Sequence, residues 1–130
     1  MNAGLENIIA IARQAIENCY SPYSKLRIAA VLEDDSGDFH TGVNVENSSY
    51  SLTICAERAA VFSAVSSGQK KFRRILIYSR DIEPLPCGAC RQVLAEFCDD
   101  DFQVITATDD TVRHYALVEL LPHGFGQNRT

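Results

Sequence analysis

Apolar residues at Leu5, Ile8, Ile9, Ala12, Ile16 and Cys19 recur at three- and four-residue steps, which predicts an amphipathic helix from Leu5. "SPYS" at 21–24 closes it, because Pro22 cannot continue the hydrogen-bond ladder and pushes Ser21 out of the helical region. In "LRIAAVLE" the period changes to two, with Leu26, Ile28, Ala30 and Leu32 alternating on one side. "DDSGD" supplies turn chemistry and "FHTGVNVEN" returns, so the two segments predict a hairpin. Residues 54–67, rich in Ala, read as a helix with Thr53 as candidate N-cap and Gly68 in the usual position past its end. "ILIYS" at 75–79 is apolar on both faces, as a strand covered on both sides would be. "CGACRQVLAEF" reads as a helix with Val93, Leu94 and Phe97 on its buried stripe. "QVITAT" reads as a strand, "TVRHYAL" as another after the turn at Asp109 and Asp110, and "LVELLPHGFG" as a short helix ending in an irregular tail. The order α-β-β-α-β-α-β-β-α predicts an α/β fold of three layers, a mixed sheet of about five strands with helices on both faces.

Length and composition narrow the function classes. At 130 residues, with no repeat, low-complexity tract or linker, the chain reads as one domain able to bury roughly two thirds of its unfolded surface. The net charge of −5 and the absence of a Lys/Arg cluster beyond "KKFRR" at 70–74 argue against a polynucleotide partner, which requires a basic face. That run reads as a solvated link between a helix and a strand. Glu6, Arg13 and Glu17 interrupt any signal-peptide core, and no apolar run nears the ~20 residues of a membrane span. The cytoplasm is the expected compartment, and in that reducing setting the five cysteines read as thiols or metal ligands ahead of disulfides.

The chemistry concentrates in "CAER" at 55–58 and "PCGACRQ" at 86–92. Cys87 and Cys90 lie three apart at a predicted helix start, so both can face one side, and Cys55 lies near the start of the preceding helix. Helix N-termini favour thiolate over thiol. Three converging thiolates suit Zn²⁺, whose catalytic sites use three protein ligands and leave one position for water. A fourth Cys or His at matching spacing is absent: Cys19 belongs to the apolar stripe of the first helix, Cys98 follows Phe97, and His40, His114 and His123 are isolated. Glu57 alone would read as an ordinary helix-surface carboxylate. Two residues after a ligand, it is placed to carry protons for a metal-bound water without ligating the metal itself. A lone CxxC is shared with redox motifs, whereas CAE followed by PCxxC is far more specific.

The stretches "NVENSSYSLTICAERAA", "PCGACRQVLAEF" and "ELLPHGFG", with "YSPYSKLRIAA" before them, closely resemble the short-chain cytidine deaminases over nearly the whole chain. The resemblance implies hydrolytic deamination of cytidine, and of 2′-deoxycytidine, to uridine and ammonia in pyrimidine salvage. It implies one Zn²⁺ held by Cys55, Cys87 and Cys90, with Glu57 as proton shuttle for attack at C4. It further implies that Asn44 and Glu46 bind the ribose hydroxyls, that the Ala56 N–H holds the pyrimidine carbonyl, and that Arg58 hydrogen-bonds the zinc thiolates. The residues agree in part, since positions two apart on a strand face the same way and Asn with Glu offers donor and acceptors for a diol. The family's homotetrameric assembly implies that Phe125, between Gly124 and Gly126 in the tail "LLPHGFGQNRT", completes a neighbour's site. Two departures stand out: Leu26 replaces the family's usual Phe, and "IAAV" follows where the family has "VGAA".

Three rival readings have distinct signatures. A blasticidin S deaminase-like enzyme would act on a modified cytosine nucleoside, and Glu46 beside Asn44 argues for a plain ribose instead. A non-catalytic zinc-stabilised module would need a fourth ligand and leaves Glu57 without a role. A polynucleotide deaminase is disfavoured by the acidic charge.

Overall fold

A computed structural model describes residues 2–126, so residues 127–130 of the tail lie outside the described residues. Helix α1 (Asn2–Ala15) runs into a 3₁₀ turn at Ile16–Asn18. Strands β1 (Ala29–Asp34) and β2 (Phe39–Val43) precede a second 3₁₀ turn at Tyr50–Leu52. Helix α2 (Ala56–Ser66), β3 (Phe72–Tyr78), α3 (Gly88–Phe97), β4 (Gln103–Ala107), β5 (Val112–Ala116) and the short α4 (Leu117–Leu120) follow. The element order is the one that the hydrophobic periodicity predicts. Among the described residues no helix is long and apolar enough to cross a membrane.

The strands form one sheet in the order β2-β1-β3-β4-β5, parallel between β3 and β4 and antiparallel elsewhere. Side chains of the central strands divide by alternation between two cores. Ala30, Leu32, Ile75, Ile77 and Val104 meet α2 and α3 through Ala60, Val61, Ala64 and Leu94. Ala29, Val31, Leu76, Tyr78 and Ile105 meet α1 through Ile8, Ile9 and Ala12. The sandwich is thus α1 on one face and α2, α3 and α4 on the other.

Every residue of β1 is buried, the intervening Ala29 and Val31 included. Small Ala29 and Val31 allow α1 to close over the second face, and 26–28 precede the strand. Thr53 is not the N-cap of α2: that position is Cys55, and the Thr53 hydroxyl instead accepts the Asn47 N–H at 3.1 Å. Gly68 lies past the helix end with φ +93°, a backbone conformation that side chains disfavour.

The turn between β1 and β2 is organised by the buried Asp34. Its Oδ1 accepts the N–H groups of Ser36 at 2.8 Å and Asp38 at 3.1 Å, while Oδ2 lies 2.9 Å from His40 Nε2. The hydrogen bond from His40 holds this carboxyl below the usual carboxylate range.

Strand β2 is an edge strand, and α2 crosses it at Gly42. A Cβ at this position would come within 2.3 Å of the Ala56 carbonyl oxygen and 2.4 Å of the Ala60 nitrogen. Both are backbone atoms that no rotamer change can move, so only glycine lets the helix lie this close. Gly42→Ala is expected to destabilise the protein by about 1–3 kcal/mol or more, the range for overpacking. It should also loosen metal binding, because the displaced first turn of α2 follows directly on Cys55, its N-cap. Urea unfolding with parallel zinc titration tests both effects.

Candidate metal centre and its surroundings

Both β2 and β3 run antiparallel to β1, so they point the same way and end at the same end of the sheet. The helices that follow them therefore begin there. Cys55 is the N-cap of α2 and Cys87 the N-cap of α3, both with extended backbone, and Cys90 lies in the first turn of α3. The thiols converge as their spacing predicts: Cys55 Sγ lies 3.9 Å from Cys87 Sγ, Cys87 Sγ lies 3.5 Å from Cys90 Sγ, and all three fall within 4.8 Å of one another. Two sulfurs on one tetrahedral zinc at ~2.3 Å would stand about 3.8 Å apart. The observed separations bracket that value, so this donor set fits one zinc ion.

The three thiols differ in setting. Cys90 is buried, Cys55 half-buried and Cys87 exposed. The hydrogen bond from Cys90, helped by the nearby Arg58 guanidinium, brings the Cys55 thiol down to about 5 against the opposing effect of burial. The same bond, with burial, drives Cys90 in the opposite direction. Arg58 Nη2 lies 3.6 Å from Cys55 Sγ and 3.5 Å from the Thr53 carbonyl. Its buried Nε has no hydrogen-bond partner among the described residues.

Glu57 is buried, only 4% exposed, on the first turn of α2. Burial, reinforced by the negative charge on Cys55, raises its carboxyl to about 7. A carboxyl titrating there can both accept and donate a proton near neutrality. Ala56, almost wholly buried, takes the first position of α2, where a backbone N–H has no intrahelical acceptor.

Asn44 and Glu46 lie past the end of β2, in a stretch held by bridges from Val45 to Tyr20 and Ile54. Both side chains turn back to the loop after α1. Asn44 Nδ2 donates to the Leu26 carbonyl at 2.7 Å, and its Oδ1 accepts the Ile28 N–H at 3.0 Å. Glu46 Oε1 accepts the N–H groups of Tyr23 at 2.9 Å and Ser24 at 3.1 Å, and Oε2 accepts the Ser24 hydroxyl. That last bond holds the Glu46 carboxyl below its ordinary range. Glu46 also lines a cavity of about 380 Å³ with Tyr23, Ser24, Asn47, Tyr50 and Thr53. Leu26 and Asn44 are not among its lining residues.

Phe125 does not line that cavity, and the residue is 82% exposed. Its backbone is nevertheless fixed: the Phe125 N–H donates to Gln92 Oε1 at 3.2 Å, and Gln92 Nε2 donates to the Phe125 carbonyl at 2.5 Å. Sequence reasoning missed Gln92, although its place two residues after Cys90 was a usable signal. It also missed Tyr23 and Tyr50, whose rings meet edge-on with centroids 6.4 Å apart. Nothing in the local pattern marks two exposed tyrosines as neighbours.

Comparison with known proteins agrees with this geometry. The sequence model of the cytidine and deoxycytidylate deaminase zinc-binding region matches residues 3–106. A cytidine deaminase from Sporosarcina psychrophila is 41% identical over 125 residues, spanning 95% of this chain and 92% of that protein. A probable cytidine deaminase from Dictyostelium discoideum is 45% identical over 126 residues, spanning 95% and 84%. The crystal structure of cytidine deaminase from Burkholderia pseudomallei superposes with a TM-score of 0.87 at 37% identity, covering 92% of this chain and 98% of that one. With its thiols gathered at two helix starts and the likeness extending along nearly its whole length, this chain belongs to the zinc-binding cytidine and deoxycytidylate deaminase family.

Proposed function

We propose that this protein hydrolyses cytidine, and 2′-deoxycytidine, to uridine and ammonia, with Cys55, Cys87 and Cys90 holding one Zn²⁺ and Glu57 moving the protons. The observation that carries this reading is a buried carboxylate two residues from the first of three clustered thiols. Bound zinc would supply an open coordination position for water and bring the pKa of that water down to about 7.

The rest falls to the chain's own side chains. Glu57 accepts a proton from the water and passes it to N3 of the pyrimidine as the water oxygen adds to C4. It then takes the second proton and gives it to the exocyclic amine, the C4–N bond breaks, and ammonia departs to leave the C4 carbonyl of uridine. Three thiolates leave Zn²⁺ with net negative charge, which would weaken its hold on the water's electrons, and the Arg58 guanidinium beside Cys55 offsets part of it.

Glu46 and the cavity it lines are read as the ribose pocket. Asn44, which keeps a second N–H and a second lone pair beyond its loop bonds, stands beside it. The Ala56 N–H is assigned to the pyrimidine carbonyl, and Leu26 to the wall against the nucleoside. The exposed, backbone-clamped Phe125 supports a homotetramer in which its ring reaches a nucleoside bound by an adjacent copy. Five free cysteines suit a reducing cytoplasm, where this reaction would serve pyrimidine salvage.

Ultraviolet absorbance should record conversion of cytidine to uridine, with turnover lost on zinc chelation and regained when Zn²⁺ is restored. Faster turnover of blasticidin S than of cytidine would overturn the substrate assignment. Glu57→Gln should retain zinc by elemental analysis while turnover falls by ~10²–10⁴-fold or more, since general acid–base catalysis is lost in two transfers. Near-normal turnover in that variant would remove Glu57 from the mechanism. Mixing Glu57→Gln chains with Phe125→Ala chains under subunit exchange should restore activity through hybrid sites, whereas a fully active monomer would exclude completion in trans.

A further inference from the structure

We propose that Glu83 is a positioning residue for the metal centre, fixing the loop that delivers Cys87 by tying it to strands β4 and β5. The inference rests on the reading of Cys87 as a zinc ligand. Of the three thiols, Cys87 is the exposed one, whereas Cys90 is buried and Cys55 lies against Arg58. Its position depends most on the loop that precedes it.

That loop, "SRDIEPLP" at 79–86, connects β3 to α3. Glu83 Oε2 accepts the Thr106 hydroxyl at 3.0 Å and the Tyr115 hydroxyl at 2.6 Å, and Arg113 Nε lies 3.9 Å from Oε1. The three partners share one face of the sheet. Thr106 pairs with Arg113 and Val104 with Tyr115, so alternation turns all three side chains toward the α2–α3 side. Thr106 is fully buried in β4, an internal strand, and makes a rigid anchor.

The link from anchor to thiol is short and stiff. Pro84 and Pro86, both buried, fix two of the backbone torsions between Glu83 and Cys87. On the far side Arg91 Nε donates to the Pro86 carbonyl and its Nη1 to the Leu120 carbonyl, each at 2.8 Å. Arg91 belongs to α3 itself, so it joins the loop to its own helix and to α4. The Ser79 N–H donates to the Ala107 carbonyl of β4 at 3.1 Å where the loop begins, and Glu83 supplies the side-chain tie to β4 and β5 nearer Cys87. Both hydroxyl bonds fall on a single oxygen, which an amide carbonyl can replace.

Zinc release from the folded protein, followed by transfer to a chromophoric chelator, tests the role apart from turnover. Glu83→Ala should release zinc about 10-fold faster, at the lower edge of the 10–100-fold effects seen when support of a metal ligand is lost. Glu83→Gln should stay close to wild type, because its carbonyl keeps both hydroxyl donors. Tyr115→Phe, which keeps the ring, should fall between them and serves if Glu83→Ala does not fold. Wild-type zinc release in Glu83→Ala or Tyr115→Phe overturns the proposal, as does a Glu83→Gln variant as leaky as Glu83→Ala. Cys87→Ala separates the two levels: a zinc-poor Cys87→Ala beside an unaffected Glu83→Ala sinks the positioning role alone, and a Cys87→Ala variant that holds zinc normally removes the ligand reading beneath it.

Discussion

Everything at the metal centre depends on one constraint of direction: β2 and β3 run the same way on either side of β1. Each is followed by a helix on the same face of the sheet, so two helix N-termini meet at one end. That meeting gathers partial positive charge and unpaired N–H groups where thiolates are to be held. The helices can approach the sheet closely because α2 is rich in alanine and crosses β2 at a glycine. A bulkier strand or helix would separate Cys55 from Cys87 by more than one zinc ion can span.

The electrostatics of the centre are finely opposed. Three thiols and a buried carboxyl crowd one small volume, and they cannot all be ionised together without a cation. The hydrogen bond between Cys90 and Cys55 lowers the Cys55 thiol and raises that of Cys90. Arg58 is the nearest fixed positive charge, lying against Cys55. Burial raises the Glu57 carboxyl to about 7, whereas the hydrogen bond from Ser24 moves the half-buried Glu46 carboxyl the other way. The two acids are thus separated in character by their surroundings.

The loop between α1 and β1 shows how polar side chains substitute for a regular element. Residues 20–28 form no strand or helix of useful length, yet Asn44 and Glu46 satisfy the backbone of Tyr23, Ser24, Leu26 and Ile28. The same two side chains that suggest sugar recognition therefore also shape the wall of the pocket. Losing either would disturb that wall as well as a direct contact.

Periodicity made the order of elements legible, because a 3.6-residue or two-residue repeat is a local property of the chain. The thiol spacing and Glu57 were legible for the same reason: each is placed by the first turn of its own helix. The full burial of β1, the N-cap role of Cys55, the turning of Asn44 and Glu46 toward the earlier loop, and the anchoring of Phe125 by Gln92 were not. Each depends on a partner brought near by the sheet rather than by sequence distance. The sequence by itself determined the three clustered thiols, the carboxylate beside them and the elements that carry them. Only the tertiary structure decided which thiol is exposed, which acid is desolvated and which side chains are committed to holding a loop, because burial and hydrogen-bond pairing exist only once distant segments have packed together.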